Sequence, residues 1–240
     1  MEKIDAIILA GGLGTRLRDV VDDRPKVLAQ VKNRPFLDFI LDALSSWNHV
    51  SRVVLAVGYM SERVIEHYGR NRNYPFEIEF SVEKKLLGTG GAIKQALSLT
   101  RSKQVIVLNG DSFVEVDLNK LLNSHVTNGQ GMTLTMVEVD NASRFGRVVS
   151  GSDGKIISFL EKSADSAAGF INAGVYLIER DLFDDVAEDT VVSLERDLMP
   201  VFLKRGIYGH KTTGKFIDIG TPDSYGASNS FFEQHRAKQE

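Results

Sequence analysis

Apolar stretches rich in β-branched residues recur at Ile4–Leu9, Val53–Val57, Ile78–Val82 and Val105–Leu108, each closed off by charge or by glycine. Short runs of this kind are the pattern of strands buried on both faces, as in a parallel sheet. Helical spacing lies between them. Phe36, Ile40, Leu41 and Leu44 share one helical face behind Pro35, a residue that a first turn tolerates. Ile93, Ala96, Leu97 and Leu99 form a second such stretch, and Leu118, Leu121 and Leu122 a weaker third. The alternation predicts βαβ units, right-handed crossovers and a mainly parallel sheet over about residues 1–125.

Beyond that point the pattern changes. Arg147–Ser150 and Lys155–Leu160 flank Gly151-Ser152-Asp153-Gly154, a hairpin signal, and Ala173–Ile178 reads as a further strand. Leu194, Leu198, Val201 and Phe202 predict a helix ending near Gly206. The strand Phe216–Ile219 follows, and then a last helix with Thr221 as N-cap and Pro222 at its first position. No repeat, low-complexity tract or linker interrupts the chain. One domain over residues 1–240 is expected: an α/β fold with helices on both faces of a mainly parallel, mixed sheet, onto which residues 126–240 pack as a small β-rich lobe with a closing helix.

Composition narrows the class. At 240 residues, 42% hydrophobic and 25% charged, the chain is of ordinary globular make-up. It is long enough to bury roughly 70% of its unfolded surface without disulfides or metals. The absence of cysteine excludes a disulfide framework, a thiolate metal site and a cysteine nucleophile, and it fits a reducing cytoplasm. A net charge of −3 argues against a nucleic-acid partner spread over the whole surface. Glu2, Lys3 and Asp5 surround an apolar stretch, Ala6–Ala10, too short for a signal-peptide core, and the other apolar runs are strand-sized, so no membrane partner is expected. His49, His67, His125, His210 and His235 have no metal-ligand spacing.

The candidate chemistry begins where the first strand ends. Gly11-Gly12-Leu13-Gly14-Thr15-Arg16 follows directly, with Arg18, Arg24 and Lys26 close behind. A strand-to-loop junction at the carboxyl edge of a parallel sheet is where such folds bind ligands, and glycines let backbone N–H groups close around phosphate oxygens. Two familiar phosphate motifs fail here. A dinucleotide fingerprint would need glycine or alanine where Leu17 stands, and a P-loop would need Gly-Lys-Ser/Thr. A tight turn alone would also use these glycines.

Two aspartates lie at strand ends, Asp111 in Asn109-Gly110-Asp111 and Asp218 in Phe216-Ile217-Asp218-Ile219-Gly220. A carboxylate so placed costs desolvation free energy unless a cation or donor compensates it. As a pair they suit Mg²⁺, which takes one or two carboxylates and completes its shell with water and phosphate oxygens. Singly, Asp111 would cap a turn and Asp218 would pair with a lysine such as Lys215. Glu83 precedes a second glycine turn, Leu87-Gly88-Thr89-Gly90-Gly91-Ala92, which would admit a flat base or a ribose. Glu161-Lys162 closes the hairpin strand and Asn172-Ala173-Gly174 follows.

Taken in order, Gly11–Arg16, Pro25-Lys26, Leu87–Ala92, Asn109-Gly110-Asp111, Glu161-Lys162, Asn172-Ala173-Gly174 and Phe216–Gly220 with Thr221-Pro222 resemble the sugar-1-phosphate nucleotidyltransferase family over nearly the whole chain. The phrasing is most similar to the members that guanylylate a D-glycero-α-D-manno-heptose 1-phosphate. The resemblance implies that a sugar 1-phosphate oxygen attacks the α-phosphorus of a nucleoside triphosphate and expels pyrophosphate, with Mg²⁺ as cofactor. It makes residues 1–125 the nucleotide-binding half and residues 126–240 the sugar-binding half. Arg16, Lys26, Asp111, Lys162 and Asp218 become the catalytic set, with Asp111 and Asp218 on the metal. Leu9, Gly11, Gly12, Gly14, Thr15, Arg16, Glu83, Gly88, Thr89 and Gly110 become the nucleotide site, and Gly146, Glu161, Lys162 and Asn172 the sugar site. Relatives often form homodimers.

Val27 departs from the family, which usually has a second proline after Pro-Lys, and a looser lysine loop is expected from it. A carboxylate at Glu83 would accept from both N1–H and the 2-amino group of guanine, and it would repel the carbonyl oxygens of uracil or thymine, which favours GTP. Three alternatives stay open: mannose-1-phosphate guanylyltransferase, amino-sugar-1-phosphate uridylyltransferase, and a catalytically silent relative that binds nucleotide or sugar phosphate to regulate a partner. With 22 residues after Asp218 (240 − 218), the sequence is expected to be a catalytic core alone, acting in the cytoplasm to supply a surface glycan such as capsule, lipopolysaccharide or S-layer.

Overall fold

The computed structural model describes residues 3–70, 73–128, 131–160 and 167–236. Its elements begin with β1 (Ile4–Leu9), β2 (Gln30–Val31), β3 (Arg34–Pro35), α1 (Phe36–Trp47), β4 (Val50–Val57), α2 (Ser61–Tyr68), β5 (Glu77–Val82) and α3 (Gly88–Leu97). Next come β6 (Gln104–Asn109), β7 (Ser112–Val114), α4 (Leu118–Asn128), β8 (Met132–Val139), β9 (Arg147–Ser150), β10 (Ile156–Leu160) and β11 (Gly169–Glu179). The chain closes with α5 (Met199–Arg205), β12 (Ile207–Thr212), β13 (Phe216–Asp218) and α6 (Pro222–Arg236).

Among the described residues, nine strands form one sheet. Its main path runs β10-β9-β11-β6-β1-β4-β5, and β8 pairs with both β11 and β12. β6, β1, β4 and β5 are parallel, as the apolar runs predict, and β11 lies antiparallel to β6. Successive residues of one strand therefore feed different cores. Ala6 and Ile8 pack with Phe36, Ile40 and Leu44 of α1 and Leu121 of α4 on one face. Ile7 packs with Ile93, Ala96 and Leu97 of α3 and with Met199 and Phe202 of α5 on the other.

The second half differs from expectation in how it is attached. Its strands continue the central sheet through the β11–β6 ladder, so the β-rich lobe is an extension of that sheet. β11 is longer than anticipated because Phe170, Ile171 and Asn172 pair with β8 before a bulge between Asn172 and Tyr176. The helix expected from Leu194 onward is two pieces, a wide π-type turn over Leu194–Leu198 and then α5, which Gly206 ends at φ 93°. Val201 is accordingly half exposed, and Met199 takes the inward position. No helix among the described residues is long and apolar enough to cross a membrane.

Candidate active site

From β1 the chain builds outward to β4 and β5 and then crosses to the other side of β1 to lay down β6. Loops leaving the carboxyl ends of β1 and β6 therefore diverge, and a crevice opens between them, the usual ligand position in a doubly wound sheet. Leu9 and Asn109 pair across that boundary. Beyond them lies a cavity of about 420 Å³ lined by the run from Leu9 to Thr15 and by Lys26, Val27, Glu83, Leu86, Gly88, Thr89, Ala92, Asn109 and Asp111.

The loop after β1 is shaped by what leans on it. Gly14 is left-handed at φ 59° and folds against Lys26. At Gly11 a β-carbon would stand 2.3 Å from Glu83 Oε2, so glycine there is what lets the glutamate close over the loop. The Leu87 amide donates to Glu83 Oε1 at 2.9 Å, and the Glu83 N–H donates to Val57 O. Burial holds the Glu83 carboxyl above the usual glutamate range, although the Leu87 hydrogen bond works in the opposite direction. Below ordinary glutamate titration this acid costs the fold nothing, and that stability is lost as pH rises through the elevated folded value. Glu83→Gln, whose carbonyl still accepts from Leu87, is therefore expected to raise the melting temperature at pH 8 and to leave it unchanged near pH 4, as differential scanning fluorimetry would show.

The second glycine turn serves two purposes. Gly88 and Thr89 line the cavity. Gly90 and Gly91 turn away from it and donate their amides to Val192 O at 2.9 and 3.1 Å. The Thr89 hydroxyl is already engaged, donating to Glu195 Oε2 at 2.7 Å and accepting from the Leu194 amide at 2.8 Å, which leaves its backbone to face a ligand. A methyl on Gly91 would stand 2.4 Å from Thr190 O. Gly91→Ala should lower the urea unfolding free energy by about 1–3 kcal/mol.

The acidic pair is assembled by the short ladder of β7 and β13, in which Asp218 stands opposite Ser112 and the Ile219 amide donates to Asp111 O at 2.9 Å. Lys26 Nζ donates to Asp111 Oδ2 at 2.6 Å. Val27 is buried against Gly110, so the turn carrying Lys26 is packed, contrary to the looseness expected from the missing proline. Asp218 does not pair with Lys215, which reaches Gln234 instead. Its partners are Arg144, with Nη2 3.2 Å from each carboxylate oxygen, and the Gly220 amide, 2.7 Å from Oδ1. The Arg16 guanidinium reaches over Gly220, its Nη2 3.6 Å from where a β-carbon there would lie. Gly110 lets β6 approach β1, its amide donating to Leu9 O at 2.9 Å.

The basic cluster is more divided than the sequence suggests. Arg18 lies over the Tyr59 ring and Arg24 is paired with Asp23, so only Arg16 and Lys26 address the crevice. On the sugar side, the Asn172 amide donates to Gly146 O at 3.3 Å, which joins β11 to the start of β9. The Asn172 side chain donates to the buried Tyr176 hydroxyl at 2.6 Å and accepts from the Gly174 amide. Glu161 and Lys162 lie outside the described residues. Sequence reasoning missed the Arg144–Asp218 and Thr89–Glu195 links, because both join residues more than 70 positions apart that carry no shared motif.

Two neighbouring carboxylates are a donor set that Mg²⁺ accepts. No cluster of three or more acidic or histidine ligands occurs among the described residues, so bound phosphates would have to supply other positions. The residues fit such an ion.

Comparison with known proteins supplies the family. Residues 5–235 match the model of the nucleotidyl transferase family. The chain is 39% identical over 223 residues to the D-glycero-alpha-D-manno-heptose 1-phosphate guanylyltransferase of Aneurinibacillus thermoaerophilus, spanning 92% of this chain and 95% of that one. It is 38% identical over 222 residues to the enzyme of the same name from Campylobacter jejuni, spanning 92% and 97%. The crystal structure of HddC from Yersinia pseudotuberculosis shares the fold at a TM-score of 0.85 and 33% identity, covering 95% of this chain and 99% of that one. HddC complexed with GMP-PN gives a TM-score of 0.83 over the same shares. The match runs from the first strand to the last helix, and the chain therefore belongs to the nucleotidyl transferase family.

Proposed function

We propose that this protein transfers GMP from GTP to D-glycero-α-D-manno-heptose 1-phosphate, releasing pyrophosphate and GDP-heptose. The observation that carries the reading is the pair of guanylyltransferase relatives at 38–39% identity, each matched over more than nine-tenths of its length. Glu83, a double acceptor lining the cavity, is the local chemistry that agrees with it. In this reaction an oxygen of the sugar phosphate forms a bond to the α-phosphorus and the bond from that phosphorus to the β-bridging oxygen breaks, its electron pair leaving with pyrophosphate. Such transfers require positioning and charge stabilisation rather than a protein nucleophile.

The protein's residues divide that work. The amides of Gly11, Gly12, Gly14 and Thr15 with Arg16 hold the β- and γ-phosphates, and Lys26, released from Asp111, neutralises charge at the reacting phosphate. Asp111 and Asp218 would hold Mg²⁺, which supplies further charge compensation when bound. Gly146, Glu161, Lys162 and Asn172 hold the sugar phosphate and its hydroxyls. The product suits assembly of a surface glycan from the cytoplasmic side.

Nucleotide competition tests the base assignment: GTP should outcompete UTP, dTTP and CTP in pyrophosphate release. Glu83→Gln replaces one of two acceptors with a donor, matching the N–H beside a carbonyl of uracil or thymine. The GTP-to-UTP ratio of kcat/KM should then fall by about 10–100-fold. An unchanged ratio would remove Glu83 from base reading, and faster turnover of UTP by the unaltered protein would overturn the guanylyltransferase assignment.

A further inference from the structure

The two carboxylates of the site are both held by cations of the protein itself, but not equally well. Lys26 meets Asp111 at 2.6 Å with only 11% of its side chain exposed. Arg144 reaches Asp218 with a single nitrogen shared between both oxygens at 3.2 Å each, and its side chain is 44% exposed. A guanidinium that binds a carboxylate strongly does so with two nitrogens at about 2.7–2.9 Å. The long, end-on contact is a weak one.

Asp218 does not depend on it for its orientation. The Gly220 amide holds Oδ1 at 2.7 Å, with Ser224 Oγ a further 3.4 Å contact, whereas Oδ2 has Arg144 alone among the described residues. Removing Arg144 would leave the carboxylate in place with Oδ2 free. Arg144 itself stands on the turn that leads into β9, where the Phe145 amide donates to Ala142 O at 2.9 Å, and it lies one residue from Phe145-Gly146. Gly146 is bonded to Asn172 of the sugar side. The guanidinium lies over the Phe145 ring, 5.4 Å from its centroid, so on leaving Asp218 it starts from the turn whose next residue is Gly146.

Resting on the metal and sugar-phosphate reading above, we propose that Arg144 is an exchangeable counter-cation. In the metal-free protein it neutralises Asp218; when a divalent ion takes that carboxylate, Arg144 transfers to the phosphate of the sugar 1-phosphate. Arg144 therefore opposes metal binding and favours acceptor binding, two effects of opposite sign that a merely structural arginine would not give.

The test uses Mn²⁺ as probe, counted by electron paramagnetic resonance on the full chain with a non-hydrolysable GTP analogue and without sugar 1-phosphate, followed by steady-state kinetics. Arg144→Ala should bind Mn²⁺ about fivefold more tightly than the unaltered protein, the scale of one weak ion pair removed. Its KM for the sugar 1-phosphate should rise by about tenfold or more, with the KM for GTP within about twofold, and Arg144→Lys should recover part of the loss. Asp218→Asn serves as the control that should weaken Mn²⁺ binding. Equal Mn²⁺ affinity in the Arg144→Ala and unaltered proteins, or an unchanged acceptor KM, would overturn the exchange while leaving the metal site standing. No Mn²⁺ binding in either protein would overturn the metal assignment and the exchange with it.

Discussion

Asp111→Asn and Asp218→Asn are each expected to reduce pyrophosphate release by about 10³-fold or more at saturating substrates and Mg²⁺. The amide is nearly isosteric, so the cause is charge. At position 218 the asparagine oxygen still accepts from the Gly220 amide, and at position 111 the backbone bond from the Ile219 amide is untouched. Both variants should stay folded; Asp218→Asn should melt near the unaltered protein, and Asp111→Asn lower, because it leaves the nearly buried Lys26 ammonium without its carboxylate. Each leaves one cation of the site, Lys26 or Arg144, without its partner. Stopped-flow detection of pyrophosphate with varied Mg²⁺ separates the cases. A folded variant that retains normal turnover removes that aspartate from the metal site.

Arg16→Ala is the second large effect, an expected loss of about 10²–10³-fold in kcat/KM for the nucleotide. Arg16 makes no ion pair among the described residues and is exposed, so its removal should leave the urea unfolding curve unchanged. That separates chemistry from folding more cleanly than Lys26→Ala, which also strands Asp111 beside an empty position. Arg16 Nη2 lies 3.6 Å from where a β-carbon on Gly220 would stand, on the same side of that residue as Asp218 Oδ1. Binding of a non-hydrolysable GTP analogue should weaken in parallel with activity. Unchanged nucleotide binding in Arg16→Ala would show that the loop amides alone carry the triphosphate.

The parallel half of the fold was legible because strands buried on both faces leave unbroken β-branched runs, as β1, β4 and β6 do; β5, read as buried, is the edge strand, where Glu77, Glu79 and Ser81 alternate with Ile78, Phe80 and Val82 and only Ser81 is fully buried. β8 escaped the same reading. Its sequence interleaves threonine with apolar residues, yet Thr133 and Thr135 are as buried as Met132 and Leu134, so hydroxyl-bearing positions hide a core strand. α2 escaped because only Val64 and Tyr68 are buried on it, and β12 because its sequence, with Gly209, His210 and Lys211, lacks an apolar run.

The candidate residues were legible as motifs because they follow the carboxyl ends of β1 and β6, where a parallel sheet gathers its ligand-facing loops. What joins those motifs was not. The Arg18 and Arg24 side chains are drawn off by Tyr59 and Asp23, which adjacency in sequence cannot distinguish from a phosphate cluster. Gly90 and Gly91 serve packing against Thr190 and Val192, a contact across about a hundred residues. The partner of Arg144 is decided by the β7–β13 ladder, which no motif around it shows.

The central claim, guanylyl transfer to a heptose 1-phosphate, is tested most directly by pyrophosphate release from GTP over a panel of sugar 1-phosphates. The expected result is turnover with D-glycero-α-D-manno-heptose 1-phosphate at a kcat/KM about tenfold or more above that for mannose 1-phosphate or glucose 1-phosphate, the discrimination that one well-placed polar contact supplies. Release from GTP with none of the panel, or faster release from UTP or dTTP with a different sugar, would contradict it.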